Sequence, residues 1–505
     1  MAFKTGYPVA LDQLPQPILG RHPEWVDLYH FAWKLASRNI RNSRGRWHMD
    51  AAWDPKLNYQ WVWDTCFMAL YTRYSGGQLP GVQSLDNFYD LQRADGYIAM
   101  SYDFDTAKEP WHPNSINPPL FSWVEWEHYR VTGDSSRFAR VIPHIERLMA
   151  WIDQNQLNEP HRRLRAKDNA ANYAGGSTDT YRLYFYNDCG SAGTDDSPRT
   201  PRLPEAGKYF DWIDLSSQMV LSFRMLANMH AALGNRSAAA KWSARAKETG
   251  NLINSELWCK RSRFYHDRMI PKNFVSTKTI LGFWPIIAGI CSTDRLDALV
   301  GHLQNKNEFN RPTPVPTLSA DDCNYEPEGV YWVGGVWAPS NYMITRGLMT
   351  AGRGEVAHDI AMRYLGVLSR TFAKVKPHTL WESYSPEKDL PGLQPYEGRR
   401  VKPHFVGWTG IGPIAMLIEN ILGLDVNMPK AQVDWTIRLT EEHGIKNLAI
   451  GGGRADFLCA ARRTANTPAR VTIRSTVPVT VLLHRGPEKS RAVKVPASVT
   501  VEATL

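Results

Sequence analysis

Apolar residues recur at intervals of three and four positions along most of the chain, from about residue 22 to residue 422. This spacing collects them on one face of an α-helix, and it predicts about twelve helices separated by polar loops rich in proline and glycine. The predicted helices cover 24–41, 64–74, 80–92, 118–132, 136–156, 212–233, 236–254, 278–291, 294–304, 338–351, 355–374 and 410–422. Because no strands alternate with these helices, a closed toroid of helix pairs is favoured over an α/β sheet.

The pattern changes after Pro429. Short segments rich in Val, Ile and Thr follow one another between glycine, proline or charged turns, and each predicts a β-strand. The predicted strands cover 433–439, 447–450, 455–461, 469–475, 477–484, 492–495 and 498–505. We therefore predict a mainly α protein with a helical domain over residues 1–427 and a small β-sandwich over residues 428–505. For the sandwich, a structural role is favoured over carbohydrate binding.

Composition and charge argue against several classes of partner. The net charge is +9, but twelve Lys or Arg against six Asp or Glu place +6 of it in residues 428–505. No basic run is interleaved with aromatic residues, so we expect no nucleic-acid partner. No segment approaches the roughly 20 apolar residues that cross a bilayer, and the first residues lack the apolar region of a secretory signal. We therefore expect no membrane partner.

The cysteines bear on the compartment. The chain has six, scattered singly and without a C-x-x-C pair. This pattern favours reduced thiols and a cytoplasmic location. The sequence indicates no particular oligomeric state.

Two acidic segments stand out in a chain that has 19 tryptophans. Residues 193–199 read Gly-Thr-Asp-Asp-Ser-Pro-Arg, and residues 380–386 read Leu-Trp-Glu-Ser-Tyr-Ser-Pro. Hydrolysis of a glycosidic bond generally needs two carboxyl groups, of which one protonates the leaving oxygen. Most of the tryptophans are expected in the core, but aromatic faces also stack on sugar rings. The two segments therefore predict a glycosidase whose partner is a small carbohydrate.

Four other segments concentrate aromatic and polar residues in loops that precede helices: 59–64, 115–123, 328–342 and 404–410. A buried core would not tolerate this many polar groups, so these loops are the expected sugar site. Asp64 is either a helix cap or a carboxylate that binds two sugar hydroxyls. The candidate sugar-binding residues from these loops are Tyr59, Trp61, Trp63, Asp64, Asn117, Tyr331, Trp332, Trp337 and Trp408.

Six of these motifs occur in the order seen in the trehalase-like (α/α)6-barrel glycosidases. They are Trp61-Val-Trp-Asp64, Asn117-Pro-Pro-Leu-Phe-Ser-Trp123, Gly193-Thr-Asp-Asp-Ser-Pro-Arg199, Gly335-Val-Trp-Ala-Pro-Ser-Asn-Tyr342, Trp381-Glu-Ser-Tyr-Ser-Pro386 and Gly407-Trp-Thr-Gly410. Over roughly residues 20–425 the chain resembles glycoside hydrolase family 63 and its bacterial mannosylglycerate and glucosylglycerate hydrolases. The resemblance implies an (α/α)6 toroid.

The resemblance also implies residue roles. Asp195 matches the general acid and Glu382 the general base. Asp196 stands where the family usually has Asn, so it is an alternative acid, and Asn117 stands where the mannosylglycerate enzymes have Gln. The remaining predicted substrate-binding residues are Gly193, Arg199 and Trp381, with Arg199 expected to orient its neighbours rather than to catalyse.

The mechanism implied is single displacement with inversion of the anomeric carbon. It requires carboxyl groups about 6.5–9.5 Å apart, whereas about 5 Å would indicate retention. No cofactor and no metal ion is expected. The resemblance implies that the sugar cleaved is an α-linked glucose or mannose at a non-reducing end.

Three alternatives stay open. A helical toroid also suits a glycoside phosphorylase or a uronate lyase, and the lyase would use Tyr331, His404 and Arg399. A non-catalytic carbohydrate-binding protein would keep the aromatic residues without needing both carboxyl groups. The basic segment 398–404 is either a solvated loop or, through Arg399 and Arg400, a site for an anion on the leaving group, such as glycerate.

Overall fold

The computed structural model describes residues 7–49, 59–103, 105–109, 114–158, 183–200, 206–269, 273–395, 398–486 and 489–505. The α-helices within them are α1 Pro23–Arg38, α2 Val62–Thr72, α3 Asp86–Asp90, α4 Phe121–Thr132, α5 Phe138–Asn155, α6 Ile213–Ala232, α7 Arg236–Glu256, α8 Trp284–Ala288, α9 Thr293–Gln304, α10 Ala338–Thr350 and α11 Gly354–Lys374. A further helix, Gly412–Ile421, has π-type hydrogen bonds. Short 3-10 helices cover Leu11–Gln13, Arg73–Ser75, Val82–Leu85, Ala206–Tyr209, Ile280–Phe283, Thr409–Ile411 and Met428–Lys430.

Every helical stretch predicted from the sequence contains a helix. Two of them, 80–92 and 278–291, divide into a 3-10 turn followed by a short α-helix. In the second, Pro285 lies in the first turn of α8 and Gly289, with φ of +68°, ends it. No helix in the described ranges is both long enough and apolar enough to span a membrane.

Within the described part of the chain, six helices contact one another in a closed cycle. The contacts run from α2 to α4, α6, α8, α10 and the π-helix, and the π-helix contacts α2 again. All residues of α2 are buried, as are nearly all of α6, whereas α7 buries only one stripe. A helix that is buried on every side belongs to the interior and an amphipathic one to the outside. Accordingly α7 packs against α6, and α11 packs against α10 and the π-helix.

Buried charges join the helices of the cycle. Arg73 Nη2 lies 2.7 Å from Glu419 Oε1, and Arg346 Nη2 lies 3.2 Å from Glu127 Oε2. The hydroxyl of Tyr342 donates to Glu419 at 3.1 Å. Removing one member of such a network would leave a desolvated charge without its partner. The network therefore fixes the packing of α4, α10 and the π-helix around Arg73, the residue that follows α2.

The strands are β1 Gln16–Leu19, β2 Ile40–Ser43, β3 Arg46–Met49, β4 Tyr59–Trp61, β5 Ser101–Asp103, β6 Phe210–Asp211, β7 Trp258–Cys259, β8 Phe264–Tyr265, β9 Arg268–Met269, β10 Asn273–Phe274, β11 Leu424–Asn427, β12 Gln432–Thr436, β13 His443–Ile450, β14 Gly453–Cys459, β15 Arg470–Ser475, β16 Val479–Arg485, β17 Lys489–Val495 and β18 Thr500–Thr504. Among the helices they form the small sheets β2-β3, β4-β5, β7-β8 and β10-β9-β6. These small sheets were not predicted, since two to four residues carry little periodicity.

The C-terminal strands form two larger sheets, and the predicted β segments are confirmed. One sheet has the order β1-β13-β14-β15-β18 and the other β11-β12-β16-β17, in which only the β12-β16 pair is parallel. Trp435 of the second sheet packs edge-on against Phe457 of the first at 5.6 Å. Two of the nine strands, β1 and β11, precede residue 428, so the sheets extend beyond the predicted limits of the sandwich.

Candidate active site

The predicted site segments lie at the ends of the helices that form the cycle. The segment with Trp61 opens α2, the segment with Trp337 opens α10, and the segment with Trp408 precedes the π-helix. Two backbone hydrogen bonds, of 2.8 and 3.0 Å, pair Val336 with Tyr384. These bonds join the aromatic loop 328–337 to the loop that carries Glu382.

Glu382 is buried and surrounded by hydrogen-bond donors. Its Oε1 accepts the hydroxyl of Tyr331 at 3.3 Å, while Oε2 accepts the side-chain amide of Gln394 at 3.3 Å and the backbone N–H of Lys402 at 3.2 Å. Burial is the largest influence and leaves the pKa of this carboxyl above its ordinary value, although the charge of Lys402 and the three donors oppose the rise. Donors to an acid that has lost its proton favour the ionised form. The three donors and the charge of Lys402 therefore stabilise a negative charge on Glu382 against the effect of its burial.

Asp195 lies in a turn and has a different environment. Although solvent reaches its side chain, the surrounding protein displaces much of its hydration. This desolvation, followed by the negative charges of Asp196 and Glu382, raises the pKa of Asp195 to about 7. An accessible carboxyl that holds its proton near neutral pH is suited to donate it.

Asp196, the neighbouring carboxylate, points elsewhere. It is 5% exposed, and its Oδ1 accepts the backbone N–H of Trp332 at 2.8 Å. The two adjacent aspartates thus occupy different positions. One is accessible, and the other joins the acidic loop 193–199 to the aromatic loop.

Arg199 was predicted to contact the substrate, but its position favours another role. Its guanidinium is wholly buried, with Nη1 at 2.7 Å from Asp214 and Nε at 2.6 Å from Asp267. It also stacks on Trp212, with Cζ 4.1 Å from the ring centre. Both carboxylates and the indole enclose the planar group, so Arg199 holds the end of the acidic loop to the start of α6.

Four aromatic side chains form a cluster beside Glu382. The rings of Trp332 and Trp337 are stacked 4.6 Å apart, and Tyr331 and Trp408 contact Trp337 at 4.9 and 5.4 Å. Trp337 Nε1 donates to the carbonyl of Tyr331 at 2.9 Å, and Trp408 Nε1 donates to the carbonyl of Glu382 at 2.8 Å. Trp337 is 0% exposed, so it supports the neighbouring rings and does not face solvent.

The other predicted sugar-binding residues lie in two adjoining segments. Tyr59 and Trp61 are partly exposed at β4, which pairs with β5, while Trp63 and Asp64 are buried in the first turn of α2. Gly193 lies on the face of the Trp63 indole, since a β-carbon built there would be 3.5 Å from the ring. The positive φ of Gly193, +69°, also disfavours a larger residue.

Asn117 and Trp381 have polar atoms without a hydrogen-bond partner in the described residues. Asn117 Nδ2 donates to the carbonyl of Ser191 at 3.1 Å, but its buried Oδ1 accepts nothing there, and the buried Nε1 of Trp381 donates to nothing there. The Nε1 of Trp63 is in the same state. Water or a polar ligand can complete such groups.

Sequence reasoning missed Gln394 and the backbone of Lys402 as partners of Glu382. Neither contact is visible in the local sequence. Gln394 belongs to an ordinary polar loop, and Lys402 lies in the basic segment 398–404, where the side-chain charge is the evident feature and not the backbone. In that segment Arg399, Arg400 and His404 are exposed, and the guanidinium of Arg400 lies 6.0 Å from the centre of the Trp381 ring. Within the described ranges, no three His, Cys, Asp or Glu side chains are grouped as a metal site.

Comparison with known proteins places the chain in a family. The model of the mannosylglycerate hydrolase MGH1-like glycoside hydrolase domain matches residues 57–403, which include all the predicted catalytic and sugar-binding residues except Trp408. An uncharacterised protein of Borreliella burgdorferi is 26% identical over 400 residues, covering 78% of each chain. A probable mannosyl-oligosaccharide glucosidase of Schizosaccharomyces pombe is 26% identical over 246 residues, 46% of this chain and 29% of that protein.

The fold is shared with a solved enzyme. The crystal structure of the GH63 mannosylglycerate hydrolase from Thermus thermophilus in complex with glucose superposes with a TM-score of 0.60 at 18% identity, covering 77% of this chain and 99% of that one. The resemblance to glycoside hydrolase family 63 is therefore confirmed. The chain belongs to the MGH1-like glycoside hydrolase family and is a glycoside hydrolase.

Proposed function

We propose that this glycoside hydrolase is an inverting, exo-acting α-glycosidase that cleaves a short α-glucoside or α-mannoside. The observation that carries the proposal is the unequal pair of carboxyl groups. Asp195 is accessible and has its pKa raised to about 7, whereas Glu382 is buried among donors that favour its charged form. Donors and a nearby cation around one carboxyl suit it as the proton acceptor, and neighbouring negative charges around the other suit that one as the proton donor.

In this mechanism Asp195 protonates the glycosidic oxygen as the bond to the anomeric carbon breaks. Glu382 takes a proton from a water molecule, and that water attacks the same carbon from the opposite face of the sugar. The product carries the inverted configuration. Asp195 rather than Asp196 is the acid, because Asp196 is buried and its Oδ1 is bonded to the backbone of Trp332.

The sugar-binding role is proposed for the residues that surround this pair. The partly exposed Tyr59 and Trp61 offer faces for stacking, and Tyr331 and Trp332 lie beside the carboxyl groups. The unsatisfied atoms of Trp63, Asn117 and Trp381 support a polar ligand or ordered water nearby. Trp337 and Trp408 act through the residues they support.

An anion on the leaving group is proposed from the basic segment. Arg399, Arg400 and Lys402 are exposed and follow the Glu382 loop in the sequence. Arginine is well shaped to bind a carboxylate. A glycosylglycerate fits this arrangement, and the name of the Thermus thermophilus relative, mannosylglycerate hydrolase, points in the same direction.

We also propose that the closed cycle of helices and the helices outside it form an (α/α)6 toroid. The likeness in fold to the GH63 enzyme supports this architecture. The toroid would be the catalytic domain, within residues 1–427, and the two C-terminal sheets, together with β1 and β11, an accessory domain. The six free cysteines support the expectation of a cytoplasmic location.

The deciding experiment is a screen of neutral and acidic α-glucosides and α-mannosides, with the anomer of the released sugar followed by proton NMR. We expect the β-anomer to appear first. Asp195→Asn and Glu382→Gln should each lower kcat by about 10²–10⁴-fold. Initial release of the α-anomer would overturn the inverting mechanism, and cleavage that required phosphate would favour a phosphorylase.

The leaving-group proposal has its own test. Arg399→Ala combined with Arg400→Ala should raise KM for an acidic substrate and leave KM for its neutral counterpart unchanged. An unchanged KM for both substrates would show that the basic segment is a solvated loop.

A further inference from the structure

Asp196 takes part in no chemical step of the proposed mechanism, yet its carboxylate connects two loops of the site. It follows Asp195 directly and is 5% exposed. Its Oδ1 accepts the backbone N–H of Trp332 at 2.8 Å, across 136 positions of sequence. This hydrogen bond is therefore a direct link between the loop of the proposed acid and the loop that contacts the proposed base.

The turn that Asp196 holds has an unusual backbone. Tyr331 has φ of +30°, a conformation disfavoured for any residue with a β-carbon. The carbonyl of Tyr331 accepts a hydrogen bond from Trp337 Nε1 at 2.9 Å. The backbone N–H of Tyr331 donates to the carbonyl of Leu393 at 2.9 Å. Asp196 binds the next N–H along the chain, that of Trp332. Such conformations persist only where surrounding contacts hold them.

The same turn sets the position of the Tyr331 side chain, which contacts Glu382. The hydroxyl of Tyr331 donates to Glu382 Oε1 at 3.3 Å. A change in the peptide between Tyr331 and Trp332 would move this hydroxyl, because the ring and the peptide share one α-carbon. The contact chain thus runs from Asp196 through the turn to the carboxylate of Glu382.

We propose that Asp196 is a positioning residue that serves both halves of the acid–base pair. Its carboxylate anchors the Tyr331–Trp332 turn, so that Tyr331 donates to Glu382, and its negative charge helps Asp195 to keep its proton. The inference rests on the proposed function, in which Asp195 is the acid and Glu382 the base.

The second effect depends on every charged group that faces Asp195. Besides desolvation, these are Asp196, Glu382 and Asp188, all of which raise the pKa of Asp195, and the hydroxyl of Tyr331 lies among them. Asp196 contributes the largest of the three charge effects. Removing its charge alone should therefore let Asp195 lose its proton at a lower pH.

The variants Asp196→Asn and Asp196→Ala separate the two effects. Asn keeps an oxygen that can accept the Trp332 N–H but has no charge, whereas Ala removes both. For Asp196→Asn, we expect the alkaline limb of the pH profile of kcat/KM to move down by about one unit, with kcat retained at low pH. Above that limb the activity would fall about tenfold for each unit moved.

For Asp196→Ala, we expect the acidic limb to move up as well, because Glu382 loses the donor that favours its charged form. We also expect kcat to fall at every pH. Asp188→Asn is the control, since it removes one charge from the segment that leads into the acidic loop and its effect on Asp195 is the smallest of the three. An alkaline limb that stays in place in Asp196→Asn, or moves no further than in Asp188→Asn, would overturn the role of the charge. Wild-type kcat and an unmoved acidic limb in a folded Asp196→Ala would overturn the anchoring role.

A measurement without substrate tests the inference separately from the function. The difference in Tm between Asp195→Asn and its parent, followed against pH, changes between the unfolded and the folded pKa of Asp195, so its midpoint falls when the folded pKa falls. This midpoint should lie lower in the Asp196→Asn background. A lower midpoint in a protein that cleaves no glycoside would leave the link between the two aspartates standing and reject the function. Glycoside cleavage with an unmoved midpoint would reject the link alone.

Discussion

The main chain of Lys402 makes two hydrogen bonds with Glu382, one to its backbone and one to its side chain. Glu382 N–H donates to the Lys402 carbonyl at 3.0 Å, and Lys402 N–H donates to Glu382 Oε2 at 3.2 Å. Both bonds use backbone atoms of Lys402, so a substitution of the Lys402 side chain does not remove them directly. The charge of the Lys402 side chain can therefore be tested by itself.

Lys402→Met should raise the pKa of Glu382, because the lysine charge favours the ionised carboxylate. The base must be ionised to act, so the acidic limb of the kcat/KM profile should move to higher pH, with little change in the alkaline limb. The measurement is the full pH profile with a neutral substrate. Lys402→Arg keeps the charge and should behave as the wild type; a Met variant whose acidic limb coincides with that of Arg would contradict the assignment.

Tyr331→Phe should lower kcat by about tenfold and shift the acidic limb upward, since it deletes the 3.3 Å hydrogen bond to Glu382 Oε1. The ring contact with Trp337 at 4.9 Å is retained, so the Tm should change little. Steady-state kinetics and thermal unfolding on the same preparation check both parts. If kcat drops together with a large fall in Tm, the hydroxyl has a structural role instead.

Asp195→Asn should change stability with a defined sign. The pKa of Asp195 rises from 3.8 to about 7 on folding, so between these values the folded protein binds more protons than the unfolded one. Stability associated with this carboxyl is present below pH 3.8 and is lost as the pH rises through about 7. The Tm of the variant relative to wild type should therefore increase from acidic to alkaline pH.

The control for that experiment is Asp134→Asn. The backbone N–H of Ser136 donates to Asp134 at 2.8 Å and lowers the pKa of that carboxyl. Its stabilising effect is present above the unfolded pKa and lost in acid, so this variant should lose a small amount of Tm at neutral pH and none in strong acid. Two variants with the same pH trend would refute the assigned sign.

Arg199→Met should destabilise the protein by about 3–5 kcal/mol, because it leaves Asp214 and Asp267 buried without their shared cation. Arg199→Lys should recover part of this loss, since it restores a charge but not the forked contact. Urea unfolding gives the free energies. If KM rises in the Met variant with no loss of stability, Arg199 would have to contact the substrate after all.

The helices were predictable because each has a local period. In α5, for example, the buried residues include Val141, Ile145, Leu148 and Ile152, spaced by three or four. The pair Asp195 and Glu382 is a prediction from the sequence as well, made through the order of the motifs. The separate environments of Asp195 and Asp196 were not, because exposure depends on which loops fold over a turn.

What sequence could not supply is mostly contact between distant segments. Gln394 and Lys402 meet Glu382 through irregular backbone that has no period, and Tyr331 adopts its positive φ because of partners in other loops. Arg199 illustrates the same limit. Its motif suggested a place in the sugar site, and only the fold reveals the two carboxylates that enclose it.

Strand β1 sets a timing constraint on how the protein can be made. It pairs with β13, and beside it Asn447 Nδ2 donates to the carbonyl of Gln13, 434 positions earlier. At about 5–20 residues per second, a ribosome would need roughly 20–90 seconds to deliver β13 after β1 has emerged. During that interval β1 has no sheet to join. Strand β1 must therefore wait for β13, and the five-stranded sheet can close only after β18 has been synthesised.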